Sequence, residues 1–183
     1  MKETVERLVI KENRFDSLKV VEIIVSSQKG KFRLNNLLPQ GWIFVEGNKP
    51  IHTDPERKRI QIPQTQKDKK TNKEVPFLSV PGNTIGLLHE AGHAFIDEEM
   101  SMDDIELDLY LRQKMNYQSL SSFTQVELKE YVRLVLKAEK KAWDFALSTY
   151  SNLLKMGFNI EPDLNKNDLK SLAARKMKSY PIP

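Results

Sequence analysis

Residues 87 to 95 read LLHEAGHAF, and no other stretch constrains the chain so tightly. His89 and His93 are four apart, the spacing at which an α-helix sets one side chain above the other, since 3.6 residues complete a turn. Two imidazoles are then offered to one point in space, which metal binding needs and helix formation does not. The neighbouring residues add to this. Leu87, Leu88 and Phe95 are apolar, whereas Gly86, Ala91, Gly92 and Ala94 are small. Two glycines inside one helix each cost about 1 kcal/mol relative to alanine. A surface helix gains nothing in return, but a helix that lets another backbone or a substrate come close does.

Any metal on such a helix must be bound without sulfur, because the 183 residues include no cysteine. Disulfides are excluded on the same ground. His52, His89 and His93 are the only histidines, so further ligands are to be sought among carboxylates. The length fits a single domain over residues 1–183 with a core of its own. The N-terminal MKETVERLVIKENR is charged throughout and lacks the apolar stretch of a signal peptide. No apolar run approaches the ~20 residues of a membrane helix, so a soluble, cytoplasmic chain with no membrane partner is expected. The net charge of +4 raises the question of nucleic acid. Much of the excess lies in QTQKDKKTNKE (64–74) and KNDLKSLAARKMKSY (166–180). Neither interleaves aromatics with basics, so solvated surface is the reading and nucleic acid is not an expected partner.

Along the chain, FDSLKVVEIIVSSQKG (15–30) places Leu18, Val21, Ile24 and Val25 on one helical face, and a helix is expected there. Its β-branched residues would equally suit a strand. GWIFVEG reads as a strand between glycines, and PIHTDPERKRIQIP as two strand segments around an Asp54-Pro55 turn. Residues 64–74 read as a loop. After residue 79 the pattern is helical. One helix runs from a Ser79 cap to about Asp97 and a shorter one covers DDIELDLYLRQKMN. A long helix opens at Thr124 and closes at Gly157, and a last one covers about 166 to 178. The fold class is therefore α+β, a small antiparallel or mixed sheet followed by helices.

Glu90 lies about 100° round the helix from His89, unsuited to join both histidines as a ligand but able to reach a water on the metal. Zinc lowers the pKa of that water towards ~7, and Glu90 takes its proton as the water attacks a carbonyl. A catalytic zinc has three protein ligands and an open position. A close third histidine would require glycine at 96 and histidine at 99, where the chain has Ile96 and Glu99. The third ligand is then a carboxylate from a later helix. Glu139 shares its helical face with Val132, Val135, Ala142 and Ala146, where an unpaired charge would be costly. Glu130 instead has Arg133 and Lys137 at matching offsets, and Asp144 has Lys140, Lys141, Ser148 and Ser151 nearby.

Weaker candidates are Asp97, one turn after His93, to orient a ligand imidazole, and Tyr110 (or Tyr117 or Tyr131) to polarise the substrate carbonyl. A helix-end acid and core tyrosines are the ordinary readings of the same residues. Trp143 reads as packing. His52 reads as an exposed strand residue, with a second catalytic role as its alternative.

At these residues the chain resembles the ImmA/IrrE-type zinc metallopeptidases. In these zincins a small sheet precedes an H-E-x-x-H helix and a later helix whose glutamate is followed by alanines and aromatics. LLHEAGHAF and AEKKAWDFAL are the matching segments, within about residues 41 to 150. The resemblance implies a zincin core, zinc held by His89, His93 and Glu139, Glu90 as catalytic base, and an intracellular regulatory protein as peptide substrate. The family's helix-turn-helix companion domain is not legible in the chain. HEAGHA is also similar to the peptidase segment of the membrane AAA proteases, which take an aspartate as third ligand and carry an ATPase module. Two rival functions are an inactive zincin-like domain that binds a protein partner and a basic nucleic-acid-binding domain. Intact Glu90 argues against the first, and the missing aromatic interleaving against the second.

Overall fold

The computed structural model describes residues 4–13, 18–47, 50–68, 71–101, 104, 107, 110–111 and 123–178. Among them a mixed six-stranded sheet comes first and the helices follow, an α+β arrangement. The strands are β1 (Thr4–Asn13), β2 (Leu18–Ser27), β3 (Gly30–Arg33), β4 (Ile43–Gly47), β5 (His52–Asp54) and β6 (Arg59–Pro63). Their order across the sheet is β1-β2-β4-β6-β5, with β3 pairing the far end of β2. All pairings are antiparallel except β4 with β6. Among the described residues β5 is thus an edge strand, paired with β6.

The helix expected over 15–30 is corrected to a strand. Val21, Ile23 and Val25 are all fully buried, a period of two rather than 3.6. The side chain of Glu22 lies on the other face, where it meets Arg33 at 3.3 Å. β-branched residues suit the pleated surface, and antiparallel pairing with β1 satisfies the backbone groups. Asn35 adds to this by accepting from Ile23 N at 2.9 Å and donating to Val21 O at 2.8 Å. The loop expected over 64–74 is corrected too. Its ends form a hairpin of β7 (Thr65–Lys67) and β8 (Glu74–Pro76), in which Asp68 accepts from Thr71 N at 2.7 Å. The strand expected within 41–47 and the two expected within 50–63 are present as β4, β5 and β6.

Three helices are described in full: α1 (Asn83–Glu99), α2 (Gln125–Lys155) and α3 (Lys166–Lys178). Asp104, Leu107, Tyr110 and Leu111 are also helical, and the rest of that expected short helix lies outside the described residues. α2 opens on a Thr124–Glu127 capping box, each side chain accepting from the other residue's backbone N–H. It ends before Gly157, whose φ of +87° is the left-handed stop that glycine adopts without strain. α1 begins three residues later than the expected Ser79 cap would place it. Ser79 closes a short 3-10 turn, and Gly82 takes the cap position.

One face of the sheet packs on α1 and α2. Val21, Ile23, Val25, Phe44, Ile60 and Ile62 share a continuous apolar cluster with Leu87, Leu88, Ala91, Ala94, Trp143 and Ala146. Both ends of α1 are fixed. At its start the buried carboxylate of Glu161, from the α2–α3 connection, accepts from Gly82 N at 2.8 Å and Ile85 N at 3.0 Å. Burial pushes the Glu161 carboxyl up from the ordinary glutamate range, and these amide donors pull it back. At the other end Glu98 accepts from Lys58 Nζ at 2.7 Å and Trp42 Nε1 at 3.0 Å. Glu161→Ala leaves buried amides of α1 without an acceptor and is expected to cost about 1–3 kcal/mol. A urea midpoint equal to wild type, at unchanged m-value, would contradict this. Among the described residues no helix is long and apolar enough to cross a membrane.

Candidate metal centre

α1 carries His89 and His93, and α2 brings Glu139 to them. His89 Nε2 lies 3.2 Å from Glu139 Oε2, and His93 Nε2 lies 3.2 Å from Glu139 Oε1. The two Nε2 atoms are themselves 3.2 Å apart. Donors set about 2.0–2.1 Å from a zinc ion at the corners of a tetrahedron stand about 3.3 Å from one another. The histidine pair has that spacing, and Glu139 offers a different oxygen to each imidazole at the same 3.2 Å, so this group suits a zinc-sized ion. His89 and Glu139 are each 8% exposed, so two of the three donors are withdrawn from competing solvent.

Helical phase explains why Glu139 arrives here and its neighbours do not. Ala142 and Ala146, on the same stripe, are fully buried against α1. Glu130 is held by Arg133 Nε at 2.7 Å near the start of α2, and Asp144 is exposed. The close approach is made possible by Gly92. A Cβ there would sit 2.8 Å from both Cα and O of Ala142, three residues past Glu139. Gly86, in the same helix, has nothing within 4 Å of where its Cβ would be, because it faces an open cleft. The two glycines thus serve two purposes, one admitting a backbone and the other leaving room for a ligand. Gly92→Ala is expected to cost about 1–3 kcal/mol through overpacking. Gly86→Ala is expected to gain up to about 1 kcal/mol from helix propensity. Melting curves of the two variants should shift in opposite directions, and shifts of the same sign would refute this reading of α1.

The cleft has a volume of about 350 Å³ and is bounded by His89, Glu90 and Trp143 near the donor set. Glu90 is half-buried and fixed from the sheet, its Oε2 accepting from Thr53 Oγ1 at 2.7 Å. The same hydroxyl lies 3.2 Å from the Glu90 carbonyl oxygen. Trp143 packs on His89 with ring centroids 4.4 Å apart and planes at 30°. Among the described residues His89 Nδ1 has no hydrogen-bond partner, so this packing orients the ring where an acceptor more often does.

Of the weaker candidates, Tyr110 does not join the site. It is 49% exposed and donates to Glu127 Oε1 at 2.7 Å, in the capping box of α2. Glu127 is twelve residues before Glu139, about 18 Å along the helix. Tyr131 packs on Phe123 in a separate cluster around Leu111 and Leu134. Tyr117 and the side chain of Asp97 lie outside the described residues. His52 is turned to its own loop, Nδ1 lying 3.0 Å from Pro50 O, and is not one of the donors. Two residues of the site were not anticipated in these roles. Trp143 had a signal, since it follows Glu139 by four on the same helical face. Thr53 had none, because its contact with Glu90 spans 37 residues of sequence.

The fold and site together define an α+β chain with a buried His-His-Glu group able to hold a metal ion. No family model, curated protein or solved structure matches the chain.

Proposed function

We propose that the protein is a zinc-dependent metallopeptidase of the zincin kind, similar in its motifs to the ImmA/IrrE type. The observation that carries this reading is the arrival of Glu139 at the histidine pair from a separate helix. Metal-free packing has no need to gather two imidazoles and a carboxylate inside a core, where each costs desolvation. His89, His93 and Glu139 would hold the ion. When bound, zinc supplies Lewis acidity, lowering the pKa of a water and polarising the substrate carbonyl.

The remaining work falls to the chain's own residues. Thr53 engages Oε2 of Glu90, which leaves Oε1 to accept the proton of the attacking water. As the water oxygen bonds to the carbonyl carbon and the C–N bond breaks, Glu90 passes that proton to the departing amine. An extended substrate has a strand edge available, because β5 is the outer strand and Pro50 and Ile51, just before it, line the cleft. A regulatory protein as the natural substrate rests on the family resemblance alone.

The reading is tested by incubating zinc-loaded protein with a mixed peptide library and following new termini by mass spectrometry. Cleavage that a chelator stops and zinc restores supports it. A zinc-loaded protein that binds peptides and cleaves none would favour the protein-binding alternative, in which the site holds a metal without turnover.

A further inference from the structure

We infer that the cleft beside the donor set selects a bulky apolar residue next to the bond being cut, with Gly86 setting the size that is accepted. This rests on the peptidase reading and adds a side-chain specificity to it.

Helical position brings the base and the open space together. Gly86 precedes Glu90 by four residues on α1, so it stands one turn away, about 6 Å, on the same face. A substrate residue whose peptide bond reaches Glu90 has its own side chain within reach of Gly86. A Cβ on Gly86 would have nothing within 4 Å, so that side chain finds room. Gly82, one turn earlier, is covered instead, with Leu172 Cδ2 3.3 Å from where its Cβ would be. The opening therefore lies over Gly86 and not over Gly82.

Ile51, Phe77, Leu172 and Trp143 line the cleft around this opening. Phe77 and Trp143 are buried members of the main apolar cluster, and Ile51 and Leu172 pack against it, so the walls are held in place. The polar groups there are already used. Gly82 N and Ile85 N donate to Glu161, Asn83 N donates to Val80 O, and Gly86 N donates to Gly82 O. The amide of the Asn83 side chain donates to Phe77 O at 2.6 Å. Lys176, which also lines the cleft, is engaged as well. An acidic side chain would give up its hydration and approach the carboxylate of Glu90, and a basic one would tie up the group that the reaction needs. An apolar side chain gains simply by leaving water. At about 350 Å³ the cleft is of a size to take one large side chain with its adjoining backbone.

The test uses Glu90→Gln protein loaded with zinc, so that binding is read without turnover. The probes are four fluorescein-labelled octapeptides with amidated ends, identical except for a central Phe, Leu, Ala or Asp. The Phe and Leu peptides should bind about tenfold more tightly than the Ala and Asp peptides. Adding Gly86→Leu fills the space and should remove that advantage while leaving the Ala peptide unaffected. Gly86→Ala, a smaller intrusion, should remove part of it. Both substitutions favour the helix, and unchanged zinc content with undiminished melting temperature shows that the site is intact. Equal binding of all four peptides, or an Asp peptide as tight as the Leu one, overturns the inference. So does a Phe-to-Ala ratio that Gly86→Leu leaves unchanged. If binding discriminates as stated but wild-type protein cleaves none of the four, the peptidase reading fails and the specificity inference stands. If wild-type protein cleaves all four and binding does not discriminate, the inference fails and the peptidase reading stands.

Discussion

Protein purified from zinc-supplemented cultures is expected to carry about one zinc per chain, and His89→Ala, His93→Ala and Glu139→Gln to lose most of it. The two imidazole nitrogens already stand 3.2 Å apart, and each has one Glu139 oxygen at 3.2 Å, so little rearrangement is needed to receive the ion. Removing one of three protein ligands should weaken binding by about a hundredfold or more, given the ~10–16 kcal/mol available to complete structural sites. Glu130→Gln and Asp144→Asn serve as controls, since neither side chain approaches the histidines. Both should bind zinc like wild type. Bound metal should also raise stability, by about 2.7 kcal/mol when zinc is at a hundred times its dissociation constant. Melting of wild type, but not of Glu139→Gln, should therefore shift upward with zinc. Wild-type protein that stays metal-free under these conditions would sink the metal reading, and the peptidase reading with it.

Much of the site could be read from the chain because it is written in helical phase. His89 and His93 are linked by local geometry, and Glu139 stood out as an acid on a stripe that Ala142 and Ala146 continue. Both arguments need only the 3.6-residue period, which tertiary structure rarely alters. The sheet was less legible. β2 offers Leu18, Val21, Ile24 and Val25 to a helical template, yet folds with Val21, Ile23 and Val25 inward, because pairing with β1 and β4 decides the matter from outside the segment. Residues 65–76 hid a hairpin under a charged composition, since an exposed two-stranded ribbon needs few apolar residues. Thr53 and Glu161 mark the same limit at the site. Each holds α1 through a contact 37 or more residues away in sequence, and nothing local distinguishes either from a surface residue.

Glu90→Gln is expected to keep the zinc and lower peptide hydrolysis by about 10²–10⁴ in rate. The substitution preserves shape and retains an oxygen for Thr53 Oγ1, which now donates to Oε2 at 2.7 Å. What it removes is the ability to take a proton, because an amide oxygen is not a base near neutral pH. Glu90 is not among the three clustered donors, so metal content should match wild type. That separates this variant from the histidine substitutions, in which metal and activity should fall together. Thr53→Val provides an intermediate case. It leaves the carboxylate able to accept a proton but releases it from the sheet, so it should act through positioning, with a modest loss of rate and an unchanged zinc content. Steady-state cleavage of one fluorogenic peptide, alongside metal analysis of each sample, measures all of these at once. Hydrolysis near the wild-type rate in zinc-loaded Glu90→Gln would show that another group activates the water. Loss of zinc in the same variant would show instead that Glu90 is a ligand, and the division of labour on α1 would have to be redrawn.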